Sequence, residues 1–207
     1  MTPPLIILDR QHAGKPGHPG DRGAWEDLDG DTRRDQWEAE AQLTPYYLLA
    51  AEECLLAAGV DVISISDGAY EERHARACRY QAAAYVAAHL NAGGARYGAA
   101  FHDRRSAPGL ALASELARQL QAHCPELGGD VRGLPCWDDR PQAGADAWLW
   151  RPWTTIRGVY QGRPVGICYE PACLDTPQHA PLLTREGLAR IGQALGRGVL
   201  AWLEVAQ

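Results

Sequence analysis

The sequence is nearly devoid of lysine. Lys15 is the only lysine among the 20 Lys and Arg residues, and the rest are arginine. Acidic residues number 26, so the formal net charge is -6 at pH 7, and no basic cluster stands out along the chain. Proteins that bind nucleic acids neutralise phosphates with clustered basic side chains. The composition therefore argues against DNA or RNA as a partner.

Long apolar runs are also lacking. No run approaches the ~20 residues that a membrane-spanning helix needs. The first residues, MTPPLIILDR, show neither a basic start nor a long apolar core followed by a small-residue cleavage site. We therefore expect a protein with no transmembrane segment, made without a standard export signal and accumulating in the cytoplasm.

The six cysteines form no CxxC pair and accompany no histidine-rich cluster, which excludes a zinc finger. In an unexported protein such cysteines are typically buried thiols that pack as small apolar residues. A disulfide, Cys124 with Cys136 or Cys168 with Cys173, is the alternative interpretation, and the sequence does not settle the pairing.

The chain is long and apolar enough for one substantial core, with 207 residues of which 46% are hydrophobic. Apolar runs predict buried strands, and periodic apolar positions predict helices. The predicted strands lie in LIIL, VDVISIS, AAYVAAHLN, YGAAFHD and PVGICYE, and the predicted helices in LTPYYLLAAEECLLAAG, the early part of YEERHARACRYQ, APGLALASELARQLQAH and the segment from Thr184. This alternation predicts a single α/β domain over residues 1–207.

Two segments carry more specific expectations. In the first helix, Thr44 is the predicted N-cap and Pro45 the first helical residue, with the end at Gly59. The segment Gly128–Ile156 is predicted to be a long loop or a short excursion over the surface. Its aromatic side chains could stack on sugar rings or pack onto the core. These residues are Trp137, Trp148, Trp150 and Trp153.

Three predicted strands end close to a residue that can bind a metal or move a proton: His12, His89 and Glu170. Side chains at the carboxyl ends of strands meet at one edge of an open α/β sheet, where ligands bind. Each residue alone is more often structural or solvated. Together they predict a site at this edge.

The stretch ILDRQHAGKPGHPGDRGA resembles the first motif of the type-3 family of zinc-dependent N-acetylmuramoyl-L-alanine amidases, with a strand, an Asp, a His and glycine-rich residues. The resemblance implies that His12 is a zinc ligand, with His18 as the competing histidine. The family's second ligand is a glutamate five residues before a leucine. Glu38 matches that spacing to Leu43, and Glu40 competes with it.

The remaining motifs of the resemblance lie further along the chain. RHARACRYQAAAYVAAHLNAG is similar to a helix and strand-end motif that would make His89 the third ligand, followed by Asn91. Glu170 resembles the catalytic glutamate, and Arg157 resembles an arginine that precedes its strand. Asn91 and Arg157 are accordingly expected to bind substrate, whereas Arg73 is expected to pair with a carboxylate.

The resemblance implies the type-3 amidase fold, a single mixed twisted β-sheet flanked by helices, with Zn²⁺ as cofactor. Two imidazoles and one carboxylate leave a coordination position open for water, as in hydrolytic zinc sites. It also implies cleavage of peptidoglycan between N-acetylmuramic acid and L-alanine. We expect a monomeric phage or prophage endolysin without a separate wall-binding module, acting on the wall after release. The alternatives are an exported cellular enzyme, a zinc amidohydrolase or peptidase with a soluble substrate, and an inactive wall-binding relative.

Overall fold

The computed structural model describes residues 2–14, 16–17, 21–24, 26–28, 39–134, 155–159 and 164–206, and they form a six-stranded sheet flanked by helices. The strands are β1 (Leu5–Arg10), β2 (Asp61–Ile65), β3 (Ala84–Ala88), β4 (Ala99–Asp103), β5 (Asp130–Leu134) and β6 (Val165–Glu170). The helices are α1 (Glu40–Ala57), α2 (Tyr70–Arg79), α3 (Ala107–His123) and α4 (Arg185–Ala206).

The sheet is mixed, and its order is β2-β1-β3-β6-β4-β5. The first four strands of that order run parallel, while β4 is antiparallel to β6 and parallel to β5. The carboxyl ends of β1, β3 and β6 therefore share one edge of the sheet. The start of β4 reaches the same edge, since Ala99 pairs with Glu170. The predicted α/β mixed sheet is confirmed.

Alternating side chains of the central strands fill two apolar layers. Ile6 and Leu8 face a core that includes buried residues of α1, α3 and α4. Ile7 and Tyr85 face the opposite core, to which α2 contributes Ala77. Because each central strand is buried on both faces, its sequence is almost continuously apolar.

The start of α1 differs from the prediction, because the helix begins at Glu40 and not at Pro45. The first two backbone N–H groups of the helix are capped by carbonyls of an earlier, non-adjacent segment of the chain. The N–H of Glu40 donates to the Ala24 carbonyl at 2.9 Å, and that of Ala41 donates to the Arg22 carbonyl at 3.0 Å. Thr44 then lies inside the helix, so its prediction as N-cap was wrong.

Pro45 consequently sits within the helix, where it has no N–H to donate to the Ala41 carbonyl one turn earlier. The guanidinium of Arg10, at the end of β1, donates to that carbonyl through Nη2. A side chain of the sheet thus supplies the hydrogen bond that the proline removes.

The segment predicted as a loop contains a strand, since β5 pairs in parallel with β4 at the edge of the sheet. The sequence DVRGL has few apolar residues, and this edge strand is defined by its pairing partner rather than by its own pattern. Further along the segment, Ile156 packs against the sheet. The four tryptophans fall between residues 135 and 154, outside the described part of the chain.

All five described cysteines are free thiols, three of them buried. The disulfide between Cys168 and Cys173 is therefore wrong: Cys168 lies in the core on the α2 side, whereas the thiol of Cys173 donates to the Asp175 carboxylate at 2.9 Å. Cys136 lies outside the described residues. Among the described helices, none combines the length and apolar character needed to cross a membrane.

Candidate metal centre

His12, Glu40 and His89 meet at the shared edge of the sheet, with one candidate ligand atom from each lying within 4.8 Å of the others. His12 stands two residues after β1, and His89 directly follows β3. Glu40 is the first residue of α1, so the backbone capping that starts this helix also brings its carboxylate to the two histidines. The two strand-end histidines converge as the topology requires.

Glu40 connects the two imidazoles. Its Oε1 lies 2.7 Å from His89 Nδ1, and its Oε2 lies 3.5 Å from His12 Nε2. Two backbone amides also donate to this carboxylate: that of Leu90 to Oε1 at 3.1 Å and that of Ala24 to Oε2 at 2.9 Å. Burial raises the pKa of Glu40, but the histidines and the amide of Ala24 outweigh burial and hold it below its usual value. The carboxylate is ionised and preorganised.

Glu38, the glutamate selected from its spacing to Leu43, lies outside the described residues, as does His18. Their assignments stay predictions. The carboxylate that the described structure places between His12 and His89 is that of the competing residue, Glu40.

His12 has a backbone φ of 60°, in the left-handed region that non-glycine residues rarely occupy. Buried Arg73 holds the surrounding turn, donating to the carbonyls of Arg10, at 2.9 Å, and of Ala13. The same guanidinium pairs with the buried carboxylate of Asp9 at 2.7 Å. The expectation that Arg73 pairs with a carboxylate is confirmed, and this pair fixes the loop that presents His12.

The imidazole of His12 has a partner that the sequence analysis missed. Its Nδ1 lies 2.8 Å from Asp21 Oδ1, so the other nitrogen, Nε2, faces Glu40. In the sequence, the available signal is that Asp21 follows His12 within the same glycine- and proline-rich stretch.

His89 is anchored through its backbone. Its N–H donates to the Tyr169 carbonyl at 2.9 Å, and its carbonyl accepts from the Tyr47 hydroxyl at 2.9 Å. Burial lowers the pKa of His89, but neighbouring Glu40 raises it above the usual value overall. The buried Nε2 has no hydrogen-bond partner among the described residues. Tyr47, in the middle of α1, was also missed by the sequence analysis.

Glu170 ends β6 beside this cluster, and β6 pairs with the strand that precedes His89. Burial and the nearby Glu40 carboxylate raise its pKa above the usual value, although His89 and hydrogen bonds from Cys168 and Asn91 act in the opposite direction. The Cys168 thiol donates to Glu170 Oε1 at 3.6 Å. A carboxyl with a raised pKa beside a set of metal-type ligands is suited to proton transfer.

The two residues predicted to bind substrate have different surroundings. Asn91 follows the His89 turn, and its side chain hydrogen-bonds to Glu170. Arg157 forms an ion pair with Glu71 at the start of α2. Their roles toward a substrate stay predictions.

The donors fit zinc. Two imidazoles and a carboxylate, with one candidate ligand atom from each lying within 4.8 Å of the others, are the ligands of hydrolytic zinc sites. Among the described residues, the buried Nε2 of His89 lacks a hydrogen-bond partner, and a bound ion is one kind of contact that satisfies such an atom.

No family model and no curated protein matches the sequence. Solved structures do match over nearly the whole chain. Cwp6 from Clostridium difficile has a TM-score of 0.72 at 18% identity and covers 96% of this chain, which spans only 29% of Cwp6. The N-acetylmuramoyl-L-alanine amidase AmiC2 of Nostoc punctiforme has a TM-score of 0.71 at 19% identity, covering 97% of each chain.

The catalytic domain of the CD27L endolysin, which targets Clostridia difficile, is similar at a TM-score of 0.56 and 16% identity, over 95% of this chain and 97% of that one. These similarities confirm the fold that the resemblance implied. The chain has the type-3 fold of the N-acetylmuramoyl-L-alanine amidases.

Proposed function

We propose that this protein is a zinc-dependent peptidoglycan amidase that hydrolyses the amide between N-acetylmuramic acid and L-alanine. The observation that carries the proposal is the convergence of His12, Glu40 and His89 with Glu170 at one sheet edge. This edge belongs to a fold shared with N-acetylmuramoyl-L-alanine amidases. An open metal position beside a proton-accepting carboxyl supports hydrolysis.

His12, Glu40 and His89 would hold the zinc ion. Bound zinc supplies a Lewis acid that polarises the scissile carbonyl and lowers the pKa of water toward ~7. Glu40 enters this role ionised, since its neighbours hold its pKa below the usual value. Hydrogen bonds already hold the three side chains in place. Little side-chain conformational freedom therefore remains to be lost when the ion binds.

Glu170 acts as general base and then as general acid. It accepts a proton from the attacking water, whose oxygen bonds to the lactyl carbonyl carbon. When the carbon–nitrogen bond breaks, the same carboxyl gives the proton to the nitrogen of L-alanine. The hydrogen bonds from Asn91 and Cys168 orient the carboxylate for both transfers.

Metal analysis combined with the turbidity of purified cell walls tests the proposal. The protein should carry about one zinc per chain and clear the walls. Alanine at His12 or His89 should remove most of the zinc and the activity, while His123→Ala, at the last residue of α3 and outside the cluster, should keep both. Full zinc retention in both ligand variants would refute the assignment.

The same measurement decides between the two glutamates. Glu40→Ala should lose zinc, because this carboxylate contacts both imidazoles. Glu38→Ala should retain it. Loss of zinc in Glu38→Ala alone would show that the ligand lies outside the described residues.

We also propose that the protein is a phage or prophage endolysin that accumulates in the cytoplasm as a monomer and reaches the wall after release. Its similarity to the catalytic domain of the CD27L endolysin supports this origin. Expressed in bacteria with susceptible walls, it should cause lysis only after the membrane is permeabilised, and gel filtration should give one chain per particle. Spontaneous lysis of intact cells would contradict the release model.

A further inference from the structure

Residues 21–24, Asp-Arg-Gly-Ala, form a short segment across the metal centre, here termed the strap. At its end, Ala24 and Glu40 are joined twice. The Ala24 N–H donates to Glu40 Oε2 at 2.9 Å, and the Glu40 N–H donates to the Ala24 carbonyl at 2.9 Å. The strap thus fixes both the backbone and the carboxylate of one candidate ligand.

At its beginning, the strap contacts a second candidate ligand. Asp21 Oδ1 lies 2.8 Å from His12 Nδ1 and also accepts the N–H of Gly23 at 3.2 Å. A carboxylate oxygen cannot donate, so the hydrogen of this short contact belongs to the imidazole. A neutral His12 that keeps the contact therefore carries its proton on Nδ1, and the lone pair of Nε2 is directed toward the cluster.

The middle of the strap lies directly against both ligands. Gly23 has a φ of 72°, and a Cβ built on it would overlap Glu40 Oε2 and lie 2.8 Å from His12 Cδ2. No larger residue fits without displacing the ligands. The backbone of the strap therefore packs directly against the side chains of Glu40 and His12.

We propose that Asp21 is a positioning residue for the metal site, which holds His12 in the Nδ1-protonated tautomer so that Nε2 is free to bind the ion. The strap links this tautomer to the placement of Glu40, so two ligands from distant parts of the chain are prepared together. This inference rests on the proposed zinc site. Hydrogen-bond partners of metal-binding histidines commonly act in this way.

Two measurements test the proposal. Zinc affinity, from competition with a chromophoric chelator, should fall about 10- to 100-fold in Asp21→Ala. Asp21→Asn keeps a carbonyl oxygen that accepts from Nδ1, so it should recover much of that loss. Asp61→Ala is the matched control, because Asp61 is exposed at the opposite end of the sheet. It should bind zinc like the parent.

The second measurement needs no metal. In ¹⁵N-labelled, metal-free protein, the His12 ring, assigned by its loss in His12→Gln, should show the Nδ1-protonated tautomer in the parent and in Asp21→Asn. Asp21→Ala should lose this preference. The Nε2-protonated tautomer in the parent would overturn the proposal, even if Asp21→Ala fails to fold.

The remaining outcomes separate this inference from the proposed function. Unchanged zinc affinity in a folded Asp21→Ala, or equal losses in Asp21→Ala and Asp21→Asn, would overturn the positioning role. A parent protein that binds no zinc would instead refute the proposed function. In that case the tautomer of the metal-free protein still decides whether Asp21 orients His12.

Discussion

Substitution of Glu170 can separate proton transfer from metal binding, because this residue is proposed to move the proton and not to bind the ion. Glu170→Gln replaces the proton-accepting group with a near-isosteric amide and leaves His12, Glu40 and His89 intact. Activity on cell walls should fall on the order of 10²-fold or more, while the zinc content stays at the parental level. The melting temperature should not fall, because burial already disfavours the charged carboxylate and raises its pKa.

Metal analysis, a turbidity assay and a thermal melt on one purified variant provide these values. The control is Glu204→Gln, an exposed position near the end of α4, which should change none of them. Lysis by Glu170→Gln at near-parental rates would contradict the catalytic role. Loss of zinc along with activity would identify Glu170 as a ligand.

At the residue scale, the sequence predicts those functional side chains that lie at the ends of strands. His12, His89 and Glu170 each follow a strongly apolar run, so their convergence could be expected before the structure. The choice between Glu38 and Glu40 could not be made in this way, because it depends on where α1 begins. Asp21 was missed, since its hydrogen bond to His12 depends on the path of a loop without periodicity.

At the scale of elements, α1 depends on contacts that no local pattern encodes. Its first amides are capped by carbonyls of the strap, and the carbonyl that Pro45 leaves unpaired accepts from Arg10. The predicted start at Thr44 followed standard capping preferences and was wrong for this reason. Strand β5 was missed in the same way, because its pairing with β4 defines it. The runs that became β2, β3, β6 and α3 carry their own signals, and their predictions are confirmed.

The substitution of Arg10 by alanine tests the role of this contact in α1. Arg10→Ala should lower the free energy of unfolding by about 1–3 kcal/mol, because the Ala41 carbonyl loses its donor. In a Pro45→Ala background the loss should be smaller, since the new backbone N–H at position 45 can donate to the same carbonyl. Urea unfolding of the four proteins of this double-mutant cycle measures the coupling. Equal losses in both backgrounds would show that Arg10 does not replace the missing hydrogen bond.

At the scale of the whole molecule, the topology creates the site. Parallel pairing of β1, β3 and β6 brings residues 12, 89 and 170 to one edge, and the strap with α1 adds residue 40. The alternation of strands and helices predicted the α/β class. The strand order and the reversal of β4 come from long-range packing, and the resemblance rather than the periodicity implied a mixed sheet.

The bond that is cleaved tests the central claim most directly. Purified peptidoglycan digested with the zinc-loaded protein should release stem peptides with a free L-alanine N-terminus, while the glycan strands gain no new reducing ends. Labelling of amino termini and assay of reducing sugars in one digest measure both products, with Glu170→Gln as the inactive control. New reducing ends, or N-termini from within the stem peptide without free L-alanine, would contradict the proposed amidase activity.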